Sequence, residues 1–209
     1  MATANFRFHG ELAEFLPGGK RGGAFAHACA RAATIKNAIE VFPWHAADAA
    51  ADETPLFIAD AHLGGLARLL RMLGFDTLFE NAYADRHILA LLARERRILL
   101  TRDRELLKCR DVSRGCFVRA LKAEAQLNEV AARYALAQHA RPFTLCLHCN
   151  ARLEAAEPDA VAARVPEPIA ARYTRFARCP GCSRVYWEGS HWEHMRAMLG
   201  PVLAEAAPR

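Results

Sequence analysis

The chain lacks an apolar run long enough to cross a bilayer: within its 209 residues no stretch reaches the ~18 residues such a span requires. The N-terminus, Met1 to Arg7, has no basic region followed by an apolar stretch. No signal peptide is therefore expected, and the cytoplasm is the expected compartment. There is no internal repeat. No Ser-His-Asp or Cys-His constellation stands out, which leaves nothing on which to argue a side-chain nucleophile. The glycine pairs Gly18-Gly19 and Gly22-Gly23 read as flexible turns, and a lone pair carries little weight as a phosphate loop.

What is present is an ordinary folded composition, 53% hydrophobic and 24% charged. The net charge is +5, and it is unevenly placed: −1 over 1–55, +5 over 56–141 and +1 over 142–209. A basic middle suits an anionic partner such as nucleic acid, though an Arg-rich solvated surface would read the same way.

The pattern is sharpest from Leu56 to Asp103. Leu56-Phe57-Ile58-Ala59 is a buried strand ending in Asp60. Over 62–74, Leu63, Leu66, Ala67, Leu70 and Leu73 share one helical face, Arg68 and Arg71 lie away from it, and Gly74 closes the helix. Phe75–Phe79 is a second strand. Asp85 begins a second helix with Ile88, Leu91 and Leu92 as its core stripe. Arg97–Thr101 and Gly115–Arg119 are further strands, separated by a short helix from Asp103 to Lys108, and Glu124–Tyr134 is an amphipathic helix. Strands alternating with helices predict an α/β fold with an open parallel sheet. Upstream, Asn5–His9 reads as a strand, Ile35–Glu40 as a helix, Val41–Trp44 as a strand and 46–55 as a linker.

In such a sheet, sites form beyond the carboxyl ends of the strands. Asp60, Asp85 and Asp103 all fall there. Three carboxylates without a cation repel, and Mg²⁺ or Mn²⁺ would relieve that while activating water for phosphodiester cleavage. Each Asp also precedes a helix and could be an ordinary N-cap. Thr101 and Arg102 flank the third acid, where a hydroxyl and a guanidinium could hold a phosphate. Cys109 reads as a surface thiol and Cys116 as a core thiol.

The seven cysteines include two CxxC pairs, Cys146/Cys149 and Cys179/Cys182, separated by 29 residues. Two such turns complete a tetrahedral zinc site with no open position, hence a structural one, and the intervening segment must loop out, with a helix expected around Pro166–Phe176. The alternative is a pair of redox motifs. Tyr186, Trp187 and Trp192 either cover the small ribbon core or stack on bases.

At Asp60-Ala-His-Leu-Gly-Gly-Leu-Ala-Arg68, Leu69 to Thr77, Ile98 to Asp103 and Cys179 to Trp192, the chain resembles the mut-seven C-terminal RNase family, from about 56 to 195. The resemblance implies a PIN-like nuclease domain over 56–141, a fused zinc ribbon over 142–195, a tail over 196–209 and a shortened ubiquitin-like β-grasp remnant over 1–45. It implies a metal-dependent RNase with Asp60, Asp85 and Asp103 at the acidic site. Thr101, Arg102, Arg68 and Lys108 would position RNA, and the ribbon would extend the binding face. Lys122 stands where family members commonly have an Asp, with Glu124 as a possible substitute. That departure favours an alternative, a catalytically weak RNA-binding module. The N-terminal remnant could serve a protein partner.

Overall fold

A computed structural model describes residues 2–7, 23–29 and 54–204. The chain divides into two compact units, Met1–Glu53 and Thr54–Arg209. In the first, β1 (Ala2–Phe6) pairs antiparallel with β2 (Phe25–Cys29), from Ala2 opposite Cys29 to Phe6 opposite Phe25. The expected strand thus runs three residues earlier than Asn5–His9. The expected helix Ile35–Glu40, the strand Val41–Trp44 and linker residues 46–53 lie outside the described residues.

The second unit is built on four parallel strands: β3 (Phe57–Ala59), β4 (Thr77–Leu78), β5 (Ile98–Thr101) and β6 (Gly115–Phe117). Their order is β4-β3-β5-β6, all parallel. The two central strands are apolar but for Thr101, because both faces are covered. Phe57, Ala59, Ile98, Leu100 and Cys116 face α1 (Gly64–Met72) and α4 (Ala123–Tyr134). Ile58 and Leu99 face Ile88 of α2 (Asp85–Leu92) and Leu106 of α3 (Arg104–Leu107).

A 3-10 turn, Ala61–Leu63, separates β3 from α1. Gly64 and Gly65 then allow close approach: a Cβ would lie 2.6 Å from the Phe79 ring and 2.9 Å from Ala123 Cβ, respectively. At the other end of α1, Gly74 takes φ +91°, and its amide and that of Phe75 bond back to Arg71 O and Leu70 O. The second strand shortens to two residues because Phe75 turns into the core instead of continuing the edge.

Downstream, β7 (Glu154–Ala156), β8 (Phe176–Arg178) and β9 (Val185–Trp187) form an antiparallel sheet. The looped-out segment holds α5 (Pro158–Val161) and α6 (Glu167–Arg172), so the expected helix stops short and Phe176 opens a strand. α7 runs unbroken over Ser190–Ala204, across the expected boundary at 195/196. Met195, Leu199 and Val202, spaced on one helical face, join the sheet's main core beside α1 and α4. Among the described residues no helix is long and apolar enough to cross a membrane.

Candidate functional site

The strand order reverses between β3 and β5: the chain steps from β3 to β4 on one side, then crosses to the other. Open α/β sheets bind ligands beyond the carboxyl ends at such a reversal. Asp60 ends β3 there. Its amide donates to Leu100 O at 3.0 Å, which fixes the residue against β5. Its side chain is 8% exposed and enters no ion pair among the described residues. One carboxylate oxygen, Oδ2, accepts the Thr101 hydroxyl at 2.8 Å. Thr101 Oγ1 in turn accepts the Asp103 amide at 2.9 Å. One fully buried hydroxyl therefore ties the ends of both central strands together.

The cysteines come together more tightly. The Sγ atoms of Cys146, Cys149, Cys179 and Cys182 all lie within 4.8 Å of one another. Cys146 and Cys182 approach to 3.5 Å, Cys149 and Cys179 to 3.3 Å. A tetrahedron with Zn–S of ~2.3 Å needs sulfurs ~3.7 Å apart. The two knuckles repeat one turn. Asn150 and Ser183, each following the second cysteine, have positive φ, and their amides donate to the carbonyls of Cys146 and Cys179. Burial opposes ionisation of Cys146, but the Tyr186 hydroxyl at 3.1 Å and the amides of Cys149 and His148 outweigh it and bring its pKa to about 6. Cys149 goes the other way, to about 12, through lost hydration and the surrounding thiols, against the pull of the Ala151 amide. Four such thiols ionise together only around a cation, so this donor set fits a zinc-type metal.

Residues 55–199 match the family model described as the Mut7-C RNAse domain. The chain belongs to the Mut7-C RNAse domain family. Residues 1–43 match the model described as Mut7-C ubiquitin. No curated protein and no solved structure matches the chain at a significant level. The Mut7-C RNAse match runs through sheet and ribbon and ends within α7, whose buried residues complete the sheet's core.

The expected site residues of this Mut7-C RNAse domain divide into several groups. Among the described residues the four cysteines are the one set of three or more ligating side chains so closely spaced, and the three acids do not form another. Asp103 is exposed and turned to cap α3, its Oδ1 accepting the amides of Glu105 and Leu106 at 2.7 and 3.4 Å. Asp85 is exposed and starts α2, beyond the outer strand β4.

Thr101 and Arg102 do not form the expected phosphate grip. The one hydroxyl proton of Thr101 goes to Asp60. Arg102 Nη1 donates to the carbonyls of Val118, Arg119 and Ala120 at 3.2, 2.8 and 2.7 Å, holding the turn after β6 against the sheet. Lys108 pairs with Glu105 on the surface, while Arg68 is exposed on α1. Lys122 and Glu124 are exposed at the start of α4. Glu129 is committed to the amides of Arg119 and Ala120. Cys116 is buried as expected, and Cys109 is half-buried beneath α3.

Arg71, expected to lie away from the helical core face, is 4% exposed. Its Nε donates to Thr77 O at 2.9 Å, and its Nη1 to Leu147 O and His148 O at 3.2 and 2.8 Å. Beside it, Asn150 Oδ1 accepts the Thr77 amide at 3.0 Å, and Asn150 Nδ2 donates to Asp76 at 2.6 Å. Asp76 pairs with Arg97, which also donates to Phe57 O. All of these sheet residues lie at the starts of strands. The first knuckle is therefore fastened to the edge opposite Asp60.

Proposed function

We propose that this Mut7-C RNAse domain is a metal-dependent ribonuclease centred on Asp60, carrying a structural zinc at the four cysteines. The family assignment supports a nuclease. The observation that carries the location is Asp60 itself: a nearly buried carboxylate without a cationic partner among the described residues, at the strand-order reversal. A buried unpaired carboxylate costs several kcal/mol unless a cation or proton answers it.

Mg²⁺ or Mn²⁺ binds through one or two carboxylates, water and substrate phosphate, so a loose arrangement of acids suffices. Asp60 would be the principal ligand, with Asp103 and Asp85 as further acids at the carboxyl ends of the strands. A bound divalent ion supplies a more acidic water and charge neutralisation at the phosphate. Thr101 orients the Asp60 carboxylate by leaving it one free oxygen. Arg102 holds the 118–120 turn, and through it the start of α4, at the same edge. Arg68, exposed on α1, and Lys108 are available to RNA phosphates. A centre of reduced thiols suits the cytoplasm, and the ubiquitin-like segment suits a protein partner.

The test is cleavage of end-labelled RNAs by zinc-loaded protein with Mg²⁺ or Mn²⁺, or with EDTA, beside Asp60→Asn. Metal-dependent cleavage by the wild type and its loss in the variant are expected. Cleavage unchanged in Asp60→Asn would sink the assignment.

A second reading, an RNA-binding module of weak activity, is favoured by Lys122 in the place of the usual acid. It is also favoured by a hollow of ≈ 610 Å³ beside the ribbon sheet, lined by Phe143, Tyr186, Trp187 and Trp192 with Arg152 and Arg175. Aromatic faces of this kind accept stacked bases. Here Trp192 also packs on Phe143 at 5.1 Å, and Tyr186 holds Cys146, so both have structural work as well. Tight, salt-sensitive RNA binding without cleavage would establish this reading in place of the first.

A further inference from the structure

One buried cation bonds to both the ribbon and the parallel sheet. Arg71 is the last basic residue of α1, yet its guanidinium lies inside the first knuckle, on the carbonyls of the two residues between Cys146 and Cys149. It has no carboxylate partner among the described residues. A buried guanidinium answered only by carbonyls is costly unless negative charge lies near. Cys146 and Cys149 are the largest sources of it, ahead of Asp76; four thiolates around one divalent ion carry a net charge of about −2. Arg184, the other guanidinium at the centre, is on the surface beside Cys182, where water screens it.

The same guanidinium also accounts for the sheet edge. Its Nε holds Thr77 O, and the Thr77 amide is held by Asn150, the residue in positive φ that closes the knuckle. The Asn150 bond joins β4 to the knuckle directly, and the Arg71 bond reaches it through α1, whose guanidinium is held by the turn that presents Cys146 and Cys149.

We propose that Arg71 is an outer-sphere positioning residue of the four-cysteine centre, and that through Arg71 and Asn150 occupancy of the centre by zinc orders the N-terminal edge of the nuclease sheet. The proposal rests on the zinc reading above. The sheet is then not an autonomous domain carrying a ribbon; its outer strand β4 is completed by the metal.

The test uses the full chain. Zinc affinity is measured by competition with a chromophoric chelator for the wild type, Arg71→Met, Arg71→Lys and Arg184→Met. Backbone amide exchange is measured on the wild type with and without zinc. Loss of an outer-sphere partner typically weakens metal binding about 10- to 100-fold, and that is expected for Arg71→Met. Arg71→Lys keeps the charge but cannot span three carbonyls, so it recovers part of the loss. Arg184→Met, exposed, changes affinity by less than about 3-fold. Zinc removal is expected to speed exchange at Thr77 in the sheet, as well as at Asn150 and Ser183 in the knuckles.

Arg71→Met binding zinc as tightly as the wild type would overturn the proposal, as would unchanged exchange at Thr77 on zinc removal. The exchange arm needs no variant, so it decides even if Arg71→Met fails to fold. A wild type that binds no zinc would instead remove the metal reading on which the proposal stands.

Discussion

Replacing Thr101 with valine tests the geometry at Asp60 directly. The side chain is fully buried and valine keeps its shape and branching, so the change removes a hydroxyl and little else. That hydroxyl makes two hydrogen bonds, donating to Asp60 at 2.8 Å and accepting from the Asp103 amide at 2.9 Å. A hydrogen bond to a charged group contributes ~1.5–3 kcal/mol and a neutral one ~0.5–1.5 kcal/mol. Together Thr101→Val should cost about 2–4 kcal/mol. With a urea slope of ~2 kcal/mol/M, the unfolding midpoint should fall by about 1–2 M. Thr101→Ser keeps both bonds and loses one methyl, at a cost of ~0.8 kcal/mol. The assay is urea unfolding of both variants beside the wild type, followed by RNA cleavage under the same buffer. Valine should also depress cleavage more than serine, because it frees the carboxylate that serine still orients. A valine variant within ~0.5 kcal/mol of the serine variant would refute the reasoning, since the two bonds would then be worth nothing measurable.

Arg102→Ala separates a clamp from a phosphate grip: the urea midpoint should drop while the salt dependence of RNA binding stays unchanged, and a slope reduced by about one would restore the phosphate contact. Leu199→Ala should destabilise the protein by ~2–5 kcal/mol, as a buried leucine of the main core, whereas Ala197→Ser on the exposed side of α7 should have little effect in the same denaturation series. Burial pushes the Cys116 thiol above its ordinary value of 9.0. The unfolded chain therefore loses that proton at a pH where the native one still holds it. Stability should accordingly be intact below pH 9 and fall as the pH rises beyond it, and Cys116→Val should flatten that fall in urea midpoints taken across the alkaline range.

Much of the sheet could be read in advance because its central strands are buried on both sides. Runs such as Phe57-Ile58-Ala59 and Ile98-Leu99-Leu100 are apolar without alternation, and the residue after each run is then forced to the edge. The CxxC pairs were equally legible, since two thiolates in a tight turn have few other uses. Arg71 was not. Its acceptors are carbonyls, which every residue carries, and the nearest of them in the ribbon lies 76 residues away in sequence. The carbonyls that Arg102 holds are hidden in the same way, because backbone acceptors leave no trace in side-chain spacing. α7 did leave a trace, in the spacing of Met195, Leu199 and Val202. Topology puts the three acids at the carboxyl ends of the strands, but capping competes for them: Asp103 gives Oδ1 to its own helix.

The attachment of the ribbon at the far edge has a consequence for footprint. β5, four residues long at ~3.3 Å each, sets a separation of at least ~13 Å between the Asp60 edge and the knuckle edge. An RNA that touched both would have to run along a flank of the domain, past the exposed Arg68, and not across the top of the sheet. The shortest oligonucleotide bound more tightly than a mononucleotide would then report the distance between two anchor points, read out as a step in affinity with chain length.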